Sequence, residues 1–215
     1  TQALPDDSGT EYDGRVGVFS WLSHEVSTRS GDGSRPVICL MDGEHKLWAR
    51  KRELLPDNVV EVLDLWHVMD RLWDVASALH GADNTASREF VSDRLRQILE
   101  GKVGRVIGGL RQTLTKRKLS KATAETIAST ITYFSNNQDR MRYDVCLREG
   151  YPIASGVIEG ACRHVVGDRL DRTGTRWTVD GAVSMLATRT TYLSDDWNDY
   201  QQFRISREQT TIHPT

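Results

Sequence analysis

Three cysteines, Cys39, Cys146 and Cys162, are all the chain has, and they are too widely spaced for a disulfide framework or a Cys-x-x-Cys zinc knot. They read instead as small side chains of a cytoplasmic protein, two of them in apolar surroundings. No apolar run approaches the roughly 18 residues of a membrane span, so no membrane partner is expected. The polar start Thr1-Gln2-Ala3-Leu4-Pro5-Asp6-Asp7 holds no signal peptide. Without a Gly-x-x-x-x-Gly-Lys loop the chain is not a P-loop ATPase, and without a Gly-x-Ser-x-Gly elbow an ordinary hydrolase triad is not expected. Internal repeats and low-complexity tracts are missing too.

What is there is ordinary globular material, 38% hydrophobic and 27% charged, enough for one core with an inserted subdomain. A net charge of −2 does not mark the whole chain as a polyanion binder. The distribution is uneven, however. Residues 101–124 carry seven Lys or Arg and no acid. This is a modest pointer to nucleic acid, and a solvated basic face accounts for it as well.

Residues 1–15 read as a loop or a cut edge, and residues 16–30 have helical spacing. A Gly-rich turn then leads to the apolar run Val37-Ile38-Cys39-Leu40-Met41, a buried strand. A short helix over 44–55 closes at Pro56-Asp57-Asn58, and a second strand over 59–65 runs through Asp64. This is one β-α-β unit, which implies a parallel sheet with a right-handed crossover. Amphipathic helix follows from Trp66. Helical periodicity continues to Leu114, broken or bent by glycines at 101, 104, 108 and 109, and resumes over 122–136 and 140–149. Two further helices are expected over 155–172 and 178–193, and an irregular polar tail past Tyr200. The organisation expected is a first core part over 16–80, a helical insertion over 81–150, a second core part over 151–200, and loop or tail over 1–15 and 201–215.

Two carboxylates stand where chemistry is commonly placed. Asp42 ends the first strand, at the edge where open α/β sheets bind ligands. Glu159 lies where the turn-rich Tyr151-Pro152-Ile153-Ala154-Ser155 becomes helix. Together they could share Mg²⁺ or Mn²⁺ for phosphoryl transfer. Each also has a plain structural reading: Asp42 as a turn residue before Gly43, Glu159 as a complement to a helix dipole. Asp64 is a candidate N-cap, and His67 stands three residues on, within touching distance. His67 as a metal ligand is the alternative. Arg163, Arg169, Arg172 and Arg176 would set cations beside Glu159 for phosphates, or else pair with Asp168 and Asp171.

Longer blocks carry a family resemblance. Ile38-Cys39-Leu40-Met41-Asp42-Gly43, the stretch from Val62 to Trp73 containing Asp64-Leu65-Trp66-His67, Met141-Arg142-Tyr143, and Gly150 to His164 resemble bacterial insertion-sequence transposases of the ISKra type. So do the residues from Asp168 to Trp177 and Thr191-Tyr192-Leu193. The resemblance runs from about Val16 to the end, and the block around Glu159 is its most specific part. It implies a DDE transposase with an α/β, ribonuclease H-like catalytic fold whose parallel or mixed sheet is interrupted by a mostly helical insertion. Asp42 becomes the second catalytic acid, Glu159 the third, and Asp64 with His67 the motif that follows the second acid.

The family's first catalytic Asp, on an early strand, has no counterpart. Asp13-Gly14 is not embedded in a strand and stands too close to Asp42, and Asp32-Gly33 is a turn. With a first residue that is Thr rather than Met, the expectation is the C-terminal part of a transposase, inactive alone. In a complete enzyme two divalent ions, Mg²⁺ or Mn²⁺, roughly 3.5–4 Å apart would activate the attacking oxygen and stabilise the leaving one. The partners implied are DNA, both transposon ends and target, and further copies of the transposase. DNA contacts are expected from Lys116, Arg117 and Lys118 of the basic stretch and from Arg163, Arg169, Arg172 and Arg176. A non-enzymatic remnant that binds DNA or a full-length transposase is the main alternative. A small phosphohydrolase built on Asp42 is a third reading, but Glu44 and His45 stand where it would need a second Asp.

Overall fold

The computed structural model describes residues 4–5, 11–12, 14–30, 35–172 and 174–212. Asp13, Asp32 and Gly33 lie outside them. Two two-residue strands, β1 (Leu4–Pro5) and β2 (Glu11–Tyr12), pair antiparallel. At those four residues the structure differs from the loop or cut edge expected over 1–15. Helix α1 (Gly14–Ser30) follows, then β3 (Ile38–Met41), α2 (His45–Leu54) and β4 (Val60–Leu63).

The β3 and β4 strands pair in parallel, Ile38 opposite Val60 through Met41 opposite Leu63, so the β-α-β unit forms as expected. Side chains alternate across the two faces. Ile38 and Leu40 pack toward the large core, whereas Cys39 and Met41 pack with Phe19 of α1 and with Leu55 and Val59. Burial beside Glu61, opposed by Lys51, pushes the Cys39 thiol up to about 11, which makes it an inert packing residue.

Helix α3 (Leu65–His80) is the axis of the helical block. Its residues Val68, Leu72, Val75 and Ala76 are fully buried, one stripe at helical spacing. Against it pack α4 (Thr85–Leu99) and α6 (Lys121–Asn137), with α5 (Val103–Lys116) packed on those two and α7 (Tyr143–Glu149) on α4, all in one core. Side-chain caps start α4 and α6: Asn84 accepts from the Ser87 N–H at 2.9 Å, and Ser120 from the Thr123 N–H at 3.1 Å. The long periodic stretch is interrupted at Gly101, whose φ of +74° ends one helix and admits the next. The residues 81–150 thus share one core with α3 and the sheet. Tyr143 closes that core, its hydroxyl donating to the Leu63 carbonyl at 2.8 Å, with the phenol pushed far up by burial.

The chain divides into two compact units, Thr1–Ser155 and Gly156–Thr215. The second begins with α8 (Gly156–Ala161), widens into a π-helical turn over Cys162–Gly167, and ends its first segment with α9 (Asp168–Leu170). It continues in α10 (Val179–Leu193) and α11 (Trp197–Ile212). Helix α11 corrects the expectation of an irregular tail. Its polarity hid it, yet Trp197 meets Tyr192 and Tyr200 at 6.2 and 5.8 Å between ring centroids, and Arg204 pairs with Glu208 one turn on at 3.2 Å. The fold is α/β, mostly helical, with a small two-stranded parallel sheet in its larger unit.

Candidate functional site

Because Met41 stands opposite Leu63, the residues that follow them, Asp42 and Asp64, stand at adjacent strand ends on the C-terminal edge of the sheet. Their roles differ. Asp64 is 2% exposed and wholly engaged. It caps α3 by accepting from the Trp66 N–H at 3.2 Å, and it accepts from both the Ser155 N–H, at 3.2 Å, and the Ser155 hydroxyl. Beside these, Leu65 N–H donates to the Ile153 carbonyl at 3.0 Å. Asp64 therefore fastens the stretch before Gly156 to the end of β4. The N-cap expected from the sequence is present; the Ser155 partner had no local signal to announce it. His67 stands 4.0 Å from Asp64 through Nε2, the expected contact at three residues' spacing.

Asp42 is half-buried and holds its own turn. Its carboxylate accepts from the Glu44 N–H at 2.8 Å, and its carbonyl accepts from the Trp48 indole at 2.7 Å. Its turn forms one wall of a cleft of about 540 Å³ in which Glu44, His67, Asp70 and Asp74 also take part. Tyr133 of α6 closes the cleft against Gly43: a Cβ on Gly43 would lie 2.2 Å from the Tyr133 ring. Glycine is favoured here by close approach to that ring, not by dihedral angle. Arg71 lies over that ring, 4.9 Å from its centroid. Burial and the Asp42 carboxylate push the Tyr133 phenol above its ordinary value, against the opposing pull of the Gly43 backbone and Arg71.

The hard oxygen donors of this cleft suit Mg²⁺ or Mn²⁺ in kind. Among the described residues, however, no three His, Cys, Asp or Glu side chains converge closely enough to hold a metal ion.

Glu159 belongs to the second unit, on the exposed first turn of α8. Four residues on, Arg163 is exposed as well. The expected row of cations on one helix does not run its full length: the helix ends at Leu170, and Arg172 and Arg176 lie beyond it, on either side of the turn at Gly174 with φ of +85°. Asp168 is engaged by His164 at 3.5 Å and Arg189 at 3.7 Å. Arg172 donates to its backbone carbonyl at 2.7 Å rather than to its carboxylate. Arg169 and Arg176 are exposed.

Lys116, Arg117 and Lys118 end α5 and enter the loop before α6, all exposed. The apolar side of α5 (Val103, Val106, Ile107, Leu110) is buried, which turns its basic side outward. The sequence reading missed a row of polar residues on α6, Ser129, Thr132 and Asn136, which with Tyr133 fall at i, i+3, i+4 and i+7 on the face opposite Ile127, Ile131 and Phe134. That spacing was readable from the start.

No helix among the described residues is long and apolar enough to cross a membrane. No family model matches the chain, and neither does any curated protein or solved structure.

Proposed function

We propose that the chain is the C-terminal part of a DDE transposase catalytic region of the ISKra type, with a ribonuclease H-like core, serving metal-dependent phosphoryl transfer at DNA ends. One observation carries the reading most: Asp42 stands at the carboxyl edge of a parallel strand pair, beside an acidic cleft and next to a buried Asp64 that anchors the segment leading to α8. Open α/β sheets place their ligands at that edge. The blocks that resemble the family include both Asp42 and Glu159. Further support comes from the second unit, whose apolar side chains Val157, Ile158 and Val183 stand exposed, as expected of helices that belong to a larger core.

In this reading Asp42 and Glu159 are the second and third acids, and Asp64 with His67 is a positioning motif. A divalent ion bound by the completed triad would supply charge stabilisation to the displacement at phosphorus. The chain's own part is to fix the Asp42 carboxylate through its turn and to exclude water from the Gly43 side with Tyr133. DNA and further transposase copies are the partners.

The test combines metal binding with nuclease activity. The isolated chain is expected to bind Mn²⁺ weakly, to lose that binding in Asp42→Asn, and to leave DNA uncut, because Mg²⁺ held by one or two carboxylates keeps most of its waters. Robust Mg²⁺-dependent cleavage abolished by Glu159→Gln would replace the partial-enzyme reading with a complete one and promote a residue such as Asp13. Unchanged Mn²⁺ binding in Asp42→Asn would instead favour a non-enzymatic DNA- or transposase-binding remnant.

A further inference from the structure

A second cleft, of about 680 Å³, shares Gly43, Arg71 and Tyr133 with the acidic one. Its chemistry is of opposite sign. His45, Arg52, Arg71 and Arg140 line it together with the polar face of α6, and no acidic side chain does. Two helices build it by register. On α2, His45, Trp48 and Arg52 fall at i, i+3 and i+7; on α6, Ser129, Thr132, Tyr133 and Asn136 recur at the same period.

The cations are not equally available. Arg140 is committed: it pairs with Glu61 at 2.6 Å and stacks over Trp48 at 4.3 Å. Arg71 is held over the Tyr133 ring, and Arg52 is exposed. Among the described residues, neither has a carboxylate within the 4.0 Å of an ion pair. Two available guanidinium groups beside hydroxyl and amide donors, in a chain whose net charge is −2, form a local anion site.

We propose that this basic cleft between α2 and α6 binds the phosphodiester backbone of a nucleic acid and leads it to the Asp42 turn. Arg52 and Arg71 are the residues that meet phosphate. Ser129, Thr132 and Asn136 add neutral hydrogen bonds, the mixture that positions a backbone without reading its sequence. The shared wall of Gly43, Arg71 and Tyr133 puts the next stretch of strand at the acidic cleft. Only the choice of nucleic acid as the anion rests on the proposed function; the anion site itself does not.

The test uses the whole chain without divalent metal, and measures anisotropy of a labelled DNA duplex over a salt series. Arg52→Gln, Arg71→Gln, the double variant and Arg71→Lys are compared with the parent, with folding checked by circular dichroism. Weaker binding is expected in each Gln variant, with the log–log salt slope reduced by about 0.9 for each phosphate that is no longer neutralised. Arg71→Lys should keep the slope. Parental affinity and slope in the double variant would overturn the proposal. Should Arg71→Gln fail to fold, Arg52→Gln, exposed and without an ion-pair partner among the described residues, decides alone. Poly-glutamate of matched charge binding as tightly as DNA, or inorganic phosphate competing at the same concentration as DNA phosphate, would also overturn it by marking a general or small-anion site. The two readings fail separately: the arginine variants are read on DNA without divalent metal, whereas Mn²⁺ binding and its loss in Asp42→Asn are read without DNA.

Discussion

The two units of the chain are held by different means. In the first, Val62, Leu63, Val68 and Leu72 are shielded completely, and helices from opposite ends of the segment meet in one core. In the second, no described side chain is buried, while Val157 and Val179 are 82% and 81% exposed. Helices in the second unit are held by polar devices: Thr178 caps α10 by accepting from the Gly181 N–H at 3.1 Å, and Arg189 spans to the His164 carbonyl at 2.6 Å. Caps and surface pairs of this kind contribute about 1 kcal/mol or less each, whereas a fully buried large side chain contributes about 1.5–3 kcal/mol. Secondary structure and stability are therefore separable here. The first unit has both, and the second has the helices without the core.

The largest effect should come from the core of the first unit. Phe134→Ala, at a fully buried ring, is expected to cost about 3–5 kcal/mol, whereas Ile158→Ala, at an exposed side chain of the second unit, should stay within about 0.5 kcal/mol. Urea unfolding followed by circular dichroism measures both, and equal losses would erase the contrast between the units. Next comes the strand end. Asp64→Ala strips the Ser155 donors and the α3 cap of their acceptor in a site that is 2% exposed, and a loss of about 1–3 kcal/mol is expected from the same measurement. A neutral result would mean that the stretch before Gly156 is not fastened through this carboxylate.

The smallest effect is one of pH. Burial works to raise the Glu61 carboxyl, but hydrogen bonds and charge from Arg140 and Lys51 outweigh it, and the group is held below its ordinary value of 4.5. A carboxyl depressed in the folded state contributes stability that is full above the unfolded value and is lost as pH falls through the folded one. Glu61→Gln should therefore be less stable than the parent at neutral pH, with the gap narrowing as pH is lowered from about 5 to about 3. Thermal melts over that range check it. A gap that stays constant would show that Glu61 acts through packing alone.

Much of the first unit was legible. The apolar runs ending at Met41 and near Asp64 mark two short strands, the alternation of Val68, Leu72 and Val75 marks α3, and both follow from burial on a fixed period. Asp42 at a strand end and Asp64 as a cap were legible for the same reason: turn and cap residues act on backbone within a few positions. Ser155 on Asp64, Tyr133 on Gly43 and the cleft between α2 and α6 were not, because they join residues far apart in sequence and leave no local trace beyond a polar stripe. Helix α11 was missed because an exposed helix needs no apolar stripe, and polarity alone reads as a tail. The pairing of Glu159 with Asp42 was read from a strand end and a helix start far apart in sequence, and from the resemblance, and no local pattern joins the two.

The close approach of Gly43 to the Tyr133 ring has a consequence for how such a chain can diverge. Any side chain at 43 must take the space the ring occupies, and any shrinkage at 133 leaves a gap beside the acid and frees Arg71 from its stacking partner. The two positions are therefore coupled: a side chain at 43 requires the Tyr133 ring to shift, and the pair is expected to change together. The residue next to the strand-end acid is thus constrained by a helix encoded far downstream, so a crossover between diverged copies anywhere between the two positions would separate partners that have adjusted to each other.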